Sequence, residues 1–217
     1  MRLGIEEQDV CSACLTFLPY THFWEKPMDN PLTQRFFLQM PIERGASLFY
    51  YDHSSDNKQV IFLSKYRHQP HSAVFLGRMA ACVFQQSDFF EGIDCLIPMP
   101  LTRQRERERG FNQSRMIADG VNEVTKIPIA EGVVSRVHFT ESQTMKHHYE
   151  RRENVKGAFR LLDGDRIRGR HVLLIDDVVT TGATMLECGR ELAKAGDVKI
   201  SVMSLAVVNL DKGVDNI

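Results

Sequence analysis

No stretch of this chain approaches the roughly 18 consecutive apolar residues that a membrane-crossing helix needs, so no spanning segment is expected. Net charge is missing too: 27 Lys and Arg stand against 28 Asp and Glu, a formal balance of -1. Such a chain has no long-range pull toward nucleic acid or an acidic membrane, and any basic site must be local. Cysteines are few, odd in number and scattered (Cys11, Cys14, Cys82, Cys95, Cys188), which is not the spacing of a secreted disulfide framework. Reduced thiols are expected, with Cys82, Cys95 and Cys188 as small buried groups in core elements. There is no Walker-type GxxxxGK[ST] stretch, no internal repeat and no low-complexity tract. The N-terminus, MRLGIEEQDV, is acidic rather than a charged-then-apolar leader, and the expected location is cytoplasmic. At 217 residues the chain suffices for one full domain with a small appendage.

From about residue 90 onward, short apolar runs alternate with amphipathic helical segments, the signature of a parallel sheet built from βαβ units. DCLIPMP (94–100), VVSRV (133–137), HVLLI (171–175) and KISVMSLAVV (199–208) read as its strands. SRMIADGVNEVTK places Ile117, Val121 and Val124 on one helical face; MLECGRELAKAG does the same for Met185, Cys188, Leu192 and Ala195, with Gly196 as its stop. In the first third, ASLFYYD (46–52) reads as a strand and NKQVIFLSKYR as a short helix. SAVFLGRMAACVFQQ reads as a longer helix that buries Leu76, Met79, Ala80 and Val83. These elements are expected to form a cap lobe, mostly within 41–90. Residues 138–156 are almost wholly polar and without period, and a loop that long inside a compact domain is expected to be a functional lid.

VLLIDDVVTTGAT (172–184) runs an apolar strand into two adjacent carboxylates and then a Thr-Gly turn that opens a helix. Ligands of open parallel sheets bind beyond the carboxyl ends of the strands, where Asp176 and Asp177 fall. Val178, Val179, Thr180, Thr181, Gly182, Ala183 and Thr184 would present free backbone N–H groups, a positive helix terminus and three hydroxyls, which suits a phosphate. Gly182 permits close backbone approach. Carboxylates repel a phosphate, so Asp176 and Asp177 are read as accepting from neutral hydroxyls, and the pattern calls for a sugar phosphate. Helix capping by threonine alone would not require two acids, a strand end and a glycine together. PMPLTRQRERERGFNQS (98–114) follows the first sheet strand. If extended, it places Arg103, Arg105, Arg107 and Arg109 on one side, toward a diphosphate; the bland alternative is a solvated charge run.

IDDVVTTGAT resembles the phosphoribosyl-diphosphate signature of type I phosphoribosyltransferases. PMPL…RGFNQS, SQT…RRENVKGAF and the acidic signature follow the order and spacing of the ComF family of competence-associated phosphoribosyltransferase-like proteins, a resemblance that covers nearly the whole chain. It implies an α/β fold over 41–217, with a central, mostly parallel sheet flanked by helices and a small cap, or hood, lobe. It implies that Pro98, Met99, Pro100, Arg109, Gly110, Asn112 and Gln113 form the diphosphate loop, and that Gln143, Thr144, Arg151, Asn154 and Val155 belong to a mobile catalytic flap. Phosphoribosyl diphosphate, bound with Mg²⁺, would then be attacked at C1′ by a nitrogen nucleophile, with Arg109, Arg151, Asp176 and Asp177 carrying the chemistry. The alternative for Arg151 and Arg152 is a solvent-facing pair on a loop. No residue is a persuasive general base, since His147 and His148 show no carboxylate partner.

The second reading, implied by the family's link to natural transformation, is a non-catalytic binding protein for a ligand and single-stranded DNA within the DNA-uptake machinery. Trp24, Phe36, Phe37, Tyr50, Tyr51 and Tyr66 would supply stacking faces near Arg35, Arg44, Lys65 and Arg67, although the apolar pattern around most of these aromatics reads as core. Within an N-terminal segment spanning 1–40, Cys11 and Cys14 have the C-x-x-C spacing of half a zinc knuckle. ComF-like proteins generally carry a first C-x-x-C upstream, and CSACLTFLP resembles the second, so zinc is expected only if an upstream pair exists.

Overall fold

The computed structural model describes residues 18–51, 70–137 and 156–208. The short helix expected within 57–67, the lid residues 138–155 and the Cys11/Cys14 pair lie outside the described residues. The main sheet has four strands, β1 (Ile42–Tyr51), β2 (Cys95–Pro98), β5 (His171–Val179) and β6 (Lys199–Val208), all parallel in the order β1-β6-β5-β2. The helices are α1 (Pro31–Phe36), α2 (Pro70–Phe84), α3 (Arg103–Arg109), α4 (Gln113–Thr125) and α5 (Ala183–Ala193). Among the described residues no helix is long and apolar enough to cross a membrane.

The strands of the sheet are apolar on both sides, as a sheet covered on both faces requires. Alternate residues of β5 divide between two cores: Leu173 and Ile175 pack with α2 and α4, while Val172 and Leu174 pack with α5 and α1. Ile117 and Val121 of α4 and Met185, Cys188, Leu192 and Ala195 are buried on the expected faces, while Val124 is partly buried. On α2 the buried stripe is Ala73, Leu76, Ala80, Ala81 and Phe84, with Met79 and Val83 only partly covered, and Cys82 faces solvent rather than the core. The expected burial of Cys95 and Cys188 is observed. Helices α2 and α4 cross at glycine: a Cβ on Gly120 would meet the Val74 carbonyl oxygen at 2.1 Å, and one on Gly77 would meet that of Ile117 at 2.3 Å. No side chain larger than hydrogen fits at either position, so this helix pair packs backbone to backbone.

Three expectations change. VVSRV forms β3 (Val134–Arg136), which leaves the parallel sheet and pairs antiparallel with β4 (Phe159–Leu161) in a separate ribbon. Its polar Ser135 and Arg136 break the continuous apolar run that a strand buried on both faces needs. The segment 41–90, read as cap, instead supplies β1 as an edge strand of the main sheet and α2 as a layer over it, because β1 buries residues 46–48 completely and pairs with β6 from Ile42 to Tyr51. Nor is 18–40 set apart, since Leu32 and Phe36 of α1 lie in the core under the sheet. Asn30 fixes this segment: its side chain accepts from the N–H groups of Leu32 and Thr33 and donates to the carbonyls of Lys26 and Gly45.

Candidate functional site

The chain leaves β2 through α4 to reach residues 128–130, which bond to the outer edge of β2, whereas β5 leads through α5 to β6 on its other side. The connections therefore diverge between β2 and β5, and a crevice opens at their carboxyl ends, the usual ligand position of such sheets. Pairing with β2 ends at Pro98 opposite Ile175, but β5 runs on along β6 through Val179, four residues beyond the expected end. Asp176 thus emerges where one neighbour has stopped and the other continues. Val178 and Val179 extend the strand because Ala206 and Val207 of β6 offer it partners.

Asp176 is held in place from two directions. Its Oδ1 accepts from Ser114 Oγ, at the start of α4, at 3.0 Å and from the N–H of Asp177 at 2.9 Å. Burial raises its carboxyl from the ordinary carboxylate range to about 7, and the adjacent Asp177 carboxylate pushes in the same direction. Asp177 Oδ1 accepts from the N–H of Val178 at 2.7 Å. Two acids on consecutive strand residues are thus each tied to a neighbouring backbone N–H, and the charged form of Asp176 is disfavoured, so that it is partly protonated at neutral pH.

Beyond them, Asp176 and residues 178–185 line one recess. Gly182, at φ 79°, is the N-cap of α5 and provides no capping side chain; Thr181 Oγ1 reaches the Ala183 N–H only at 3.4 Å. The first-turn amides of α5 thus keep donor capacity for an anion. Thr180 and Thr181 are exposed, Ala183 and Thr184 half-buried, and Val179 is packed in the core, so its side chain is not a ligand contact.

The segment 99–112 does not have the extended form that would align its arginines. Thr102 caps α3 by accepting from the Arg105 N–H, Gln104 bonds Glu108 one turn on, and Gly110 ends the helix in the left-handed region. Arg, Glu and Gln are good helix formers, and these local bonds outweigh the period-two pattern. Four-residue spacing puts Arg105 and Arg109 on one face of α3 and Arg103 and Arg107 on another. Arg109 donates to Gln113 Oε1 at 3.0 Å, and Asn112 caps α4 while its amide donates to the Met99 carbonyl. Met99 is buried and takes part through its backbone, its N–H donating to the Ile175 carbonyl. Pro98 and Pro100 face a neighbouring hollow on the outer side of β2, where Arg115 is paired with Asp119 and Glu131.

Ser114 escaped the sequence reading, and so did Arg136. Arg136, on β3, is half-buried with its guanidinium 5.5 Å from the ring centre of Phe159. Burial lowers its pKa, as do the charges of Arg105 and Arg109, while Asp176 acts the other way. Arg136 is thus a partly desolvated cation within electrostatic reach of Arg105, Arg109 and Asp176, a grouping of positive charge beside the mouth of β5 that favours an anion. The signal was faint, since an arginine in VVSRV differs from any surface arginine only once β3 is placed. Arg151 lies outside the described residues, and among these no three His, Cys, Asp or Glu side chains converge as a metal site. Of the aromatics considered for stacking on bases, Trp24 is buried against Phe84, Phe36 is buried in the core, and Phe37 is exposed; Tyr66, Lys65 and Arg67 are not among the described residues.

Residues 114–215 match the model of the family described as phosphoribosyl transferase domain. Competence protein F of Haemophilus influenzae is 36% identical over 114 residues, covering 52% of this chain and 50% of that protein. DNA utilization protein YhgH of Escherichia coli K12 is 33% identical over 112 residues, 52% of this chain and 48% of that one. Competence protein ComFC of Bacillus subtilis is 30% identical over 108 residues, 46% and 39% respectively. The chain spans about half the length of the curated relatives it matches. The matched segment begins at Ser114, the partner of Asp176, and takes in β5, the recess and β6, whereas β2, the other strand at the crevice, precedes it. The domain is an α/β unit of the type I phosphoribosyltransferase fold, and over about half of its length the chain is similar to the competence and DNA utilization proteins named above.

Proposed function

We propose that this chain binds phosphoribosyl diphosphate together with Mg²⁺ and transfers its phosphoribosyl group to a nitrogen nucleophile, in a protein associated with DNA uptake. The observation that carries the reading is the Asp176 carboxyl, fixed by Ser114 and the Asp177 N–H at the mouth of β5 beside a glycine-capped helix terminus. Ribose hydroxyls donate to Asp176 and Asp177, the 5′-phosphate takes the amides of 180–184, and the departing diphosphate lies toward Arg105, Arg109 and Arg136. Asp176 and Asp177 present only hard oxygen donors, which with the ligand's own oxygens fit Mg²⁺; the ion, when bound, offsets diphosphate charge. The DNA-uptake association is supported by the names of relatives that match about half of their own length.

Bond order at C1′ shifts in a dissociative sense as diphosphate leaves, so positive charge grows on the sugar ring while negative charge grows on the leaving group. A carboxylate near the ribose and arginines near the diphosphate stabilise these two developments at once. The test is diphosphate release from phosphoribosyl diphosphate across a panel of amines and nucleobases. Turnover with one acceptor class, lost in Asp177→Ala, is expected; a chain that binds the donor and turns over with none would be a binding protein instead.

A further inference from the structure

Helix α1 precedes the family-matched segment 114–215 by nearly eighty residues, yet it contacts the recess loop. A Cβ on Gly182 would stand 3.0 Å from Arg35 Cδ and 3.0 Å from the Phe36 ring, so α1 is packed against the turn. From there Arg35 Nη1 donates to the Thr180 carbonyl at 2.8 Å. Neither Arg35 nor Phe36 lines the recess itself.

The Thr180–Thr181 peptide is trans, so its carbonyl and its N–H point in opposite directions. Holding the carbonyl toward Arg35 therefore turns the Thr181 N–H away from that guanidinium, in a turn whose Thr180 and Thr181 line the recess. A cation on the carbonyl also polarises the peptide and makes that N–H a stronger donor. With Asn30 anchoring α1 to β1 through the Gly45 carbonyl, the guanidinium is presented from a braced support rather than from a loop.

Resting on the phosphate-cradle reading of 178–184, we propose that Arg35 is a positioning residue for the ligand's phosphate monoester: it clamps the Thr180 carbonyl outward so that the loop amides face the phosphate. Its action is through the peptide and not by direct contact. The recess is thus completed by a residue of the N-terminal segment, which ties that segment to the site's affinity.

Calorimetric titration of ribose 5-phosphate into the full chain tests this, comparing the parent with Arg35→Ala, Arg35→Lys and Arg190→Ala. Arg190 serves as control: its bond at 3.2 Å to the Gln39 carbonyl also tethers the exit of α1 to α5, without touching the turn. Loss of a charge-assisted bond predicts about tenfold weaker binding in Arg35→Ala. Arg35→Lys, whose ammonium still reaches a carbonyl, is expected to restore most of it, and Arg190→Ala to bind as the parent does. Equal affinity in Arg35→Ala and the parent overturns the inference, as does an equal loss in Arg35→Ala and Arg190→Ala, which would mean that α1 acts only as packing. A parent that binds no ribose 5-phosphate overturns the cradle reading itself, an outcome distinct from the other two.

Discussion

Replacing Asp176 by asparagine should stabilise the ligand-free protein while weakening its hold on the sugar. The carboxyl is raised from 3.8 to about 7, with burial the larger cause and Asp177 the next. For an acid raised in the folded state, the unfolded chain gives up its proton first as pH climbs. Stability is therefore full below the unfolded value, falls between about pH 4 and 7, and stays low above that. A shift of about three units corresponds to at most about 4 kcal/mol, and the bonds from Ser114 and the Asp177 N–H that favour the ionised form are already part of it. The substituted amide keeps an oxygen for both donors and carries no charge, so Asp176→Asn should gain about 2–4 kcal/mol at pH 8. For a chain of this size that is roughly 5–12 °C in Tm. The gap should be smaller at pH 5 by about 2 kcal/mol, because there the folded wild type still holds its proton. Thermal unfolding of both proteins at pH 5 and pH 8 measures this directly. A variant less stable than wild type at pH 8, or a gap that does not change with pH, would refute the reasoning.

The Gly120 crossing predicts that Gly120→Ala loses stability, since the added methyl would meet the Val74 carbonyl oxygen at 2.1 Å and neither backbone can yield without moving a helix. Overpacking of this kind costs about 1–3 kcal/mol, and an unaltered melting temperature would contradict the packing described. Arg136→Gln is expected to weaken phosphoribosyl diphosphate about tenfold while leaving ribose 5-phosphate nearly unchanged, because the residue is within electrostatic reach of Arg105 and Arg109 and does not line the recess of 178–185; competition calorimetry separates the two ligands.

Much of the sheet was legible because strands buried on both faces carry unbroken apolar runs: KISVMSLAVV coincides with β6, and HVLLI lies within β5. The helices were legible from their stripes. What misled was context. VVSRV has strand composition, but only its place against β4 shows that it belongs to a ribbon and not to the sheet. ASLFYYD was a strand in either reading, and its membership of the sheet is a matter of pairing with β6, more than 150 residues later, which local pattern does not encode. The alternating arginines of 103–109 imitate an extended repeat, yet a threonine cap and a left-handed glycine make them a helix.

Within the site, Asp176, Asp177 and the Thr-Gly turn were readable because their chemistry is concentrated in ten consecutive residues. Ser114 bonds Asp176, Arg136 lies within electrostatic reach of it, and Arg35 holds the Thr180 carbonyl, each from a different element, and their side chains carry no mark of this in the local sequence. Ser114 in particular reads as an ordinary first-turn residue until the end of β5 is laid beside the start of α4.

The central claim is that the paired carboxylates and the neighbouring amide turn together hold an activated pentose phosphate. Calorimetric titration of phosphoribosyl diphosphate with Mg²⁺ into the parent and into the Asp176→Asn, Asp177→Ala double variant measures it most directly. Two lost carboxylate bonds at about 1.5–3 kcal/mol each predict saturable one-to-one binding in the parent and a loss greater than about a hundredfold in the variant. Undiminished affinity in the variant, or no binding in the parent, would contradict the claim.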